Sequence, residues 1–130
     1  MKTVLVVDDS ATMRRMVIAS LRHVPDINFA EAGSGLEALE WIALAPVDLL
    51  ILDLNMPDMH GLDVLRFLRS HHTYNTTPVV VLTTKGDESS HVTALAAGAS
   101  HYLTKPFIPQ TLSTYVRELL GIMQDMETLL

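Results

Sequence analysis

The chain has 130 residues and 48% hydrophobic content, which suits one domain with a real core and leaves no room for a second full domain. A net charge of −6 argues against a nucleic-acid footprint, and the lack of Cys removes disulfides, thiolate chemistry and Cys-based zinc sites. The apolar run Val4–Val7 is halted by Asp8-Asp9, so it is no signal peptide. No apolar stretch approaches the ~20 residues that a membrane helix needs. A soluble cytoplasmic protein, with no membrane insertion and no nucleic-acid partner, is expected.

In chain order, Val4–Val7 reads as a strand covered on both faces, ending in Asp8-Asp9-Ser10. Ser10 is a candidate N-cap for a helix buried through Met13, Met16, Val17 and Leu21, with Arg14, Arg15 and Arg22 outward. Pro25-Asp26 is a turn, and Ile27–Ala32 is a weaker strand suited to an edge. Gly33-Ser34-Gly35 breaks it. Leu36, Leu39, Ile42 and Ala43 form a helical stripe that Pro46 closes.

Asp48–Leu54 is the most apolar strand and carries Asp53 near its tip. Gly61 opens a third helix with Leu62, Leu65, Phe67 and Leu68 for burial. His71–Thr77 is a polar loop. Pro78–Leu82 is a fourth strand ending at Thr83. Asp87 or Ser89 would cap a helix buried through Val92, Leu95 and Ala96, and Gly98 would end it in a left-handed cap. Tyr102–Thr104 is a short fifth strand ending at Lys105-Pro106, and a last helix begins near Pro109. This alternation implies an α/β fold: a parallel sheet with helices on both faces and right-handed crossovers.

The strand ends carry the chemistry. In such a sheet, ligands sit beyond the carboxyl ends of the strands. Asp8-Asp9, Asp53, Thr83 and Lys105 would line up there. Clustered carboxylates repel unless a cation sits among them, and Mg²⁺ takes oxygen ligands together with phosphate oxygens. An ammonium and a hydroxyl beside them suit a phosphoryl group, and Asp is a known nucleophile in its transfer. Taken singly, a strand-end Asp is often a turn former, Thr83 a hydroxyl bonded to backbone and Lys105 a solvated cation. Four strand ends carrying the right group favour a site.

These residues resemble a response-regulator receiver domain of the CheY-like type over essentially residues 1 to 120. The resemblance rests on Asp8-Asp9, Asp53-Leu54-Asn55-Met56-Pro57 with Gly61, Thr83, Gly98-Ala99-Ser100 with Tyr102, and Lys105-Pro106-Phe107. It implies a doubly wound, five-stranded parallel sheet of order 2-1-3-4-5, flavodoxin-like, as the handed α/β rules describe for this family. It implies that Asp53 accepts a phosphoryl group from a histidine kinase or phosphotransfer protein. Mg²⁺ would be bound by Asp9, Asp53 and the backbone carbonyl of Asn55, with Asp8 acting through water. Lys105 would pair with the phosphoryl oxygens, its bond to Pro106 being cis. Thr83 and Tyr102 would be the switch pair. A downstream protein would read the face made by the fourth helix, fifth strand and fifth helix. Thr84, where the family tends to have a smaller residue, would narrow access to Asp53, and Lys85 would tune hydrolysis of the acyl phosphate.

The expected protein is therefore a stand-alone phospho-acceptor switch of chemotaxis or phosphorelay type, not a turnover enzyme. The alternatives are the receiver portion of a larger regulator and an aspartyl-phosphate phosphatase. The latter needs an Asp where Asn55 stands. A flavodoxin-like flavin binder is opposed by Asp8-Asp9 in its phosphate loop. His71-His72 read as solvated. Leu112, Tyr115, Leu119, Ile122, Met126 and Leu129 form a heptad seam, which suggests a receiver over 1–121, a helical extension over 122–130 and a homodimer through it.

Overall fold

A computed structural model describes residues 1–56, 59–84 and 88–122. The strands are β1 (Lys2–Val7), β2 (Ile27–Ala32), β3 (Leu49–Asp53), β4 (Val79–Thr84) and β5 (His101–Lys105). The helices are α1 (Ala11–Leu21), α2 (Gly35–Leu44), α3 (Gly61–Ser70), α4 (Glu88–Ala96) and α5 (Pro109–Leu120). All four strand pairings are parallel, in the order β2-β1-β3-β4-β5. The doubly wound α/β expectation holds, with the weaker strand β2 at an edge.

The central strands are wholly buried because both faces are covered. Val4 to Val7 and Leu49 to Leu52 are at most 1% exposed. Alternate residues feed two cores. Leu5, Val7, Leu50, Leu52, Val79 and Val81 face α2, α3 and α4. Val4, Val6, Leu49, Ile51, Val80 and Leu82 face α1 and α5. The turns into the first two helices are capped locally. Ser10 Oγ accepts from the Met13 amide at 3.2 Å, and Ser34 Oγ from the Glu37 amide at 3.1 Å. Gly98, at φ 105°, ends α4 as the left-handed cap expected of it.

Several helix faces differ from expectation. Met16 and Phe67 are exposed, whereas Ile18 and Val64 are buried. On α2, Leu36 and Ala43 face outward and Gly35, Ala38 and Ile42 face in. On α4, Val92 (72% exposed), Leu95 and Ala96 face outward, and Ala94 is the buried residue. Both helices turn small residues inward, Ala38 and Ala94 entering the core; a Cβ on Gly35 would lie 2.8 Å from Met59 Cβ, in the segment before α3. Ser89 lies inside α4, so it is not its cap, and Asp87 falls outside the described residues. His71 is not simply solvated. It stacks on His72 with ring centroids 5.2 Å apart and packs against Phe67 and Tyr74.

The C-terminal seam is interrupted. Gly121 takes φ 70° and ends α5; its amide donates to Glu118 and that of Ile122 to Arg117 O at 2.9 Å. That is a Schellman stop, with Ile122 packed back on the core beside Leu119 and Leu120. Gly121 is thus the end of the helix. Ile122, the first residue of the expected extension, packs on the core, while Met126, Leu129 and the rest of 123–130 fall outside the described residues.

Gly61 positions the site. A Cβ there would stand 2.5 Å from Asp53 O and 2.7 Å from Leu54 Cα, so α3 can start this close to β3 only with glycine. Gly61→Ala should lower unfolding free energy by about 1–3 kcal/mol, the usual cost of overpacking, in a urea titration. An unchanged midpoint and slope would contradict this close approach.

Candidate functional site

The carboxyl ends of β1, β3, β4 and β5 bring the sequence candidates together. Asp8 and Asp53 are almost fully buried, at 1% and 2% exposure, while Asp9 is exposed. One carboxylate oxygen from each of Asp8, Asp9 and Asp53 lies within 4.8 Å of the others. Lys105 Nζ reaches between two of them, 2.9 Å from Asp8 Oδ2 and 3.3 Å from Asp53 Oδ1. The Lys105-Pro106 bond is cis, as the resemblance implied.

Backbone amides hold each buried carboxylate. Asp8 Oδ1 accepts from Ser10 N at 2.9 Å, and Asp53 Oδ1 from Asn55 N at 3.0 Å. No buried side-chain polar atom is left without a partner among the described residues. Burial raises the Asp53 pKa above its ordinary 3.8, and the Asp8 carboxylate adds to that rise; the Asn55 amide and Lys105 oppose it. Burial alone would lower Lys105, but the Asp8 hydrogen bond and the charges of Asp53 and Asp8 prevail and raise it. The ammonium is therefore firmly held.

Three carboxylates and one ammonium leave the cluster two negative charges in excess, which a divalent cation would balance. One oxygen from each of Asp8, Asp9 and Asp53, gathered within 4.8 Å, could hold such an ion. The all-oxygen donor set suits a hard cation.

The rim shows features the sequence did not disclose. Arg14 turns inward instead of outward: its Nη1 donates to Asp8 O at 2.6 Å and its Nε pairs with Glu31 at 2.8 Å. It thereby ties α1 and β2 to the end of β1. Asn55 Nδ2 donates to Thr84 Oγ1 at 2.9 Å across the mouth of the site. Thr83 is fully buried, and its hydroxyl meets His91 Nε2 at 3.1 Å. The same ring lies against Tyr102, with centroids 3.7 Å apart. His91 was one histidine of six in the sequence, with no signal there to single it out. Lys85 and Pro57 fall outside the described residues.

A buried Asp beside an acidic pair and an invading lysine, at the carboxyl edge of a doubly wound parallel sheet, stands where this class of α/β domain places its ligands. Residues 4–117 match the family model described as the response regulator receiver domain. The chain belongs to that family. It is 42% identical to the chemotaxis protein CheY1 of Helicobacter pylori over 118 residues, covering 90% of this chain and 95% of that one. It is 39% identical to a chemotaxis protein CheY homologue of Campylobacter jejuni, with 90% and 91% covered. The structure of the chemotaxis response regulator CheY4 of Vibrio cholerae superposes with a TM-score of 0.82 at 36% identity, covering 92% of this chain and 99% of that one. Among the described residues no helix is long and apolar enough to cross a membrane.

The Asp53 pKa gives a stability prediction. Its folded value is raised, so its ionisation disfavours the folded state above that value, and the penalty vanishes as pH falls below the ordinary 3.8. Asp53→Asn should therefore raise Tm at pH 7 in metal-free buffer, by on the order of 3 °C per kcal/mol relieved. The advantage should disappear near pH 3.5 and shrink when Mg²⁺ is added to both proteins. A variant that melts below the native protein at pH 7 would contradict this balance of burial over pairing.

Proposed function

We propose that Asp53 accepts a phosphoryl group from a histidine kinase or phosphotransfer protein and that the chain signals through protein contacts. The supporting observation is the Lys105 ammonium lodged between the buried carboxylates of Asp8 and Asp53. Nothing about a turn former or a cap requires that burial; a site that handles excess negative charge does.

In this reading an Asp53 oxygen attacks phosphorus while the donor's bond to phosphorus breaks and its electron pair leaves with the donor. Mg²⁺ would be held by Asp9, Asp53 and the Asn55 carbonyl directly and by Asp8 through water, and it would neutralise phosphoryl charge. Lys105 would follow the arriving phosphoryl oxygens. Its hydrogen bond to Asp8 keeps the ammonium within reach of both Asp53 and any group attached to it. Thr83 would move its hydroxyl to a phosphoryl oxygen, and Tyr102 would respond. Thr84, bonded to Asn55, would restrict entry beside Asp53, and Lys85 would tune hydrolysis.

The output surface is the face of α4, β5 and α5. Val92 (72% exposed), Leu95 (49%) and Ile108 (67%) support it, since they expose apolar surface there. The receiver unit is taken to run over residues 1–121, with 122–130 an added segment that could pair two copies. Chemotaxis-type signalling is favoured by the relatives named above. A receiver serving a larger regulator would use the same Asp53 chemistry. A hydrolase is disfavoured by Asn55, an amide where a general acid would stand.

Incubation with acetyl phosphate and Mg²⁺, followed by intact mass, should show one phosphoryl adduct. It should be lost in Asp53→Asn and be suppressed when Mg²⁺ is chelated. An adduct that persists in Asp53→Asn would overturn the assignment of the acceptor.

A further inference from the structure

The imidazole of His91 occupies the point where three strand residues meet α4. Thr83 on β4 pairs in register with Thr104 on β5, and Val81 with Tyr102. Thr104 and Tyr102, two residues apart on one strand, share the face that Thr83 presents. His91 Nε2 lies 3.1 Å from Thr83 Oγ1 and 3.5 Å from Thr104 Oγ1, and its ring covers that of Tyr102 at 3.7 Å. One side chain thus touches two hydroxyls and the tyrosine.

Among the other described residues of α4, the one buried in the core is small. Ala94 is its buried apolar residue among those described, while Val92 and Leu95 are turned to solvent. An alanine buries little surface, so the His91 ring and its part-buried hydrogen bond add to the attachment. The hydrogen bond also has a replacement at hand. If the Thr83 hydroxyl departs, Thr104 is near enough to take the freed nitrogen, so no buried donor or acceptor is orphaned on that side.

We propose that His91 is a positioning residue that holds Thr83 and Tyr102 in their resting arrangement and so sets the cost of switching. The inference rests on the reading that Thr83 turns to the phosphoryl group. In the resting state the buried hydroxyl is bound to His91; in the phosphorylated state it is bound to a phosphoryl oxygen. Removing the nitrogen costs the resting state the 3.1 Å bond to Thr83 and the second state only the longer 3.5 Å contact with Thr104, so it shifts the equilibrium toward the second. The ring contact with Tyr102 and the place on α4 connect that shift to the outward face carrying Val92 and Leu95.

The test uses the whole chain and beryllofluoride with Mg²⁺ as the phosphoryl mimic. His91→Phe keeps a ring beside Tyr102 but removes the nitrogen; His91→Leu removes both and serves if the phenyl ring does not fit. Each should bind beryllofluoride more tightly than native, by about fivefold, the equivalent of ~1 kcal/mol. His91→Gln, whose amide offers a donor and an acceptor, should return to within about twofold of native, less than half a kcal/mol. Urea unfolding of each variant is measured alongside. A merely structural His91 would lower stability and leave the affinity unchanged, and that result overturns the latch. Failure of the native protein to bind beryllofluoride would refute the phosphoryl-acceptor reading itself, whereas native binding with unchanged affinity in both His91→Phe and His91→Leu would refute the latch alone.

Discussion

The contact between Lys105 and the two buried carboxylates is the constraint on which the molecule depends. It joins residues 97 positions apart in sequence, at 2.9 Å. It requires β1, β3 and β5 to end at the same level of the sheet, and it requires a cation to enter from the chain's last strand. Isolated, Asp8 and Asp53 would be like charges taken out of water, a costly arrangement. The ammonium and the amides of Ser10 and Asn55 compensate them, but only in part, and the rise of the Asp53 pKa marks the remainder. A site that stays short of positive charge is prepared for a divalent ion and for chemistry that uses it.

The surrounding structure can be understood as support for that contact. Wholly apolar strands hold the backbone of Val4 to Val7 and Leu49 to Leu52 rigid between two helical layers. Gly61 lets α3 begin against Asp53 itself, and Arg14 fastens the end of β1 to α1 and β2. Thr83, His91 and Tyr102 link the site to α4, whose described apolar residues are mostly outside.

The strands were legible because double-sided burial demands unbroken aliphatic runs, and their order because the strand-end residues resemble those of a receiver domain. The site residues were legible because strand ends converge whatever the loops do. Helix faces were harder. α2 and α4 place the small residues Ala38 and Ala94 in the core, and large apolar residues that mark a stripe in sequence, Leu36, Val92 and Leu95, point away. The C-terminal seam had the right spacing, yet a left-handed Gly121 stops the helix, which no count of apolar spacings registers. His91 and Arg14 could not be read at all, because their partners come from other strands and only the fold makes them neighbours.

The direct test of the charge clamp is the titration of the Asp53 carboxyl carbon, followed by ¹³C NMR in metal-free native protein and in Lys105→Met. The native carboxyl should titrate above its ordinary 3.8, and above the native value again once the ammonium is gone, since Lys105 lowers it. An Asp53 that titrates at the same pH with and without the lysine would contradict the account.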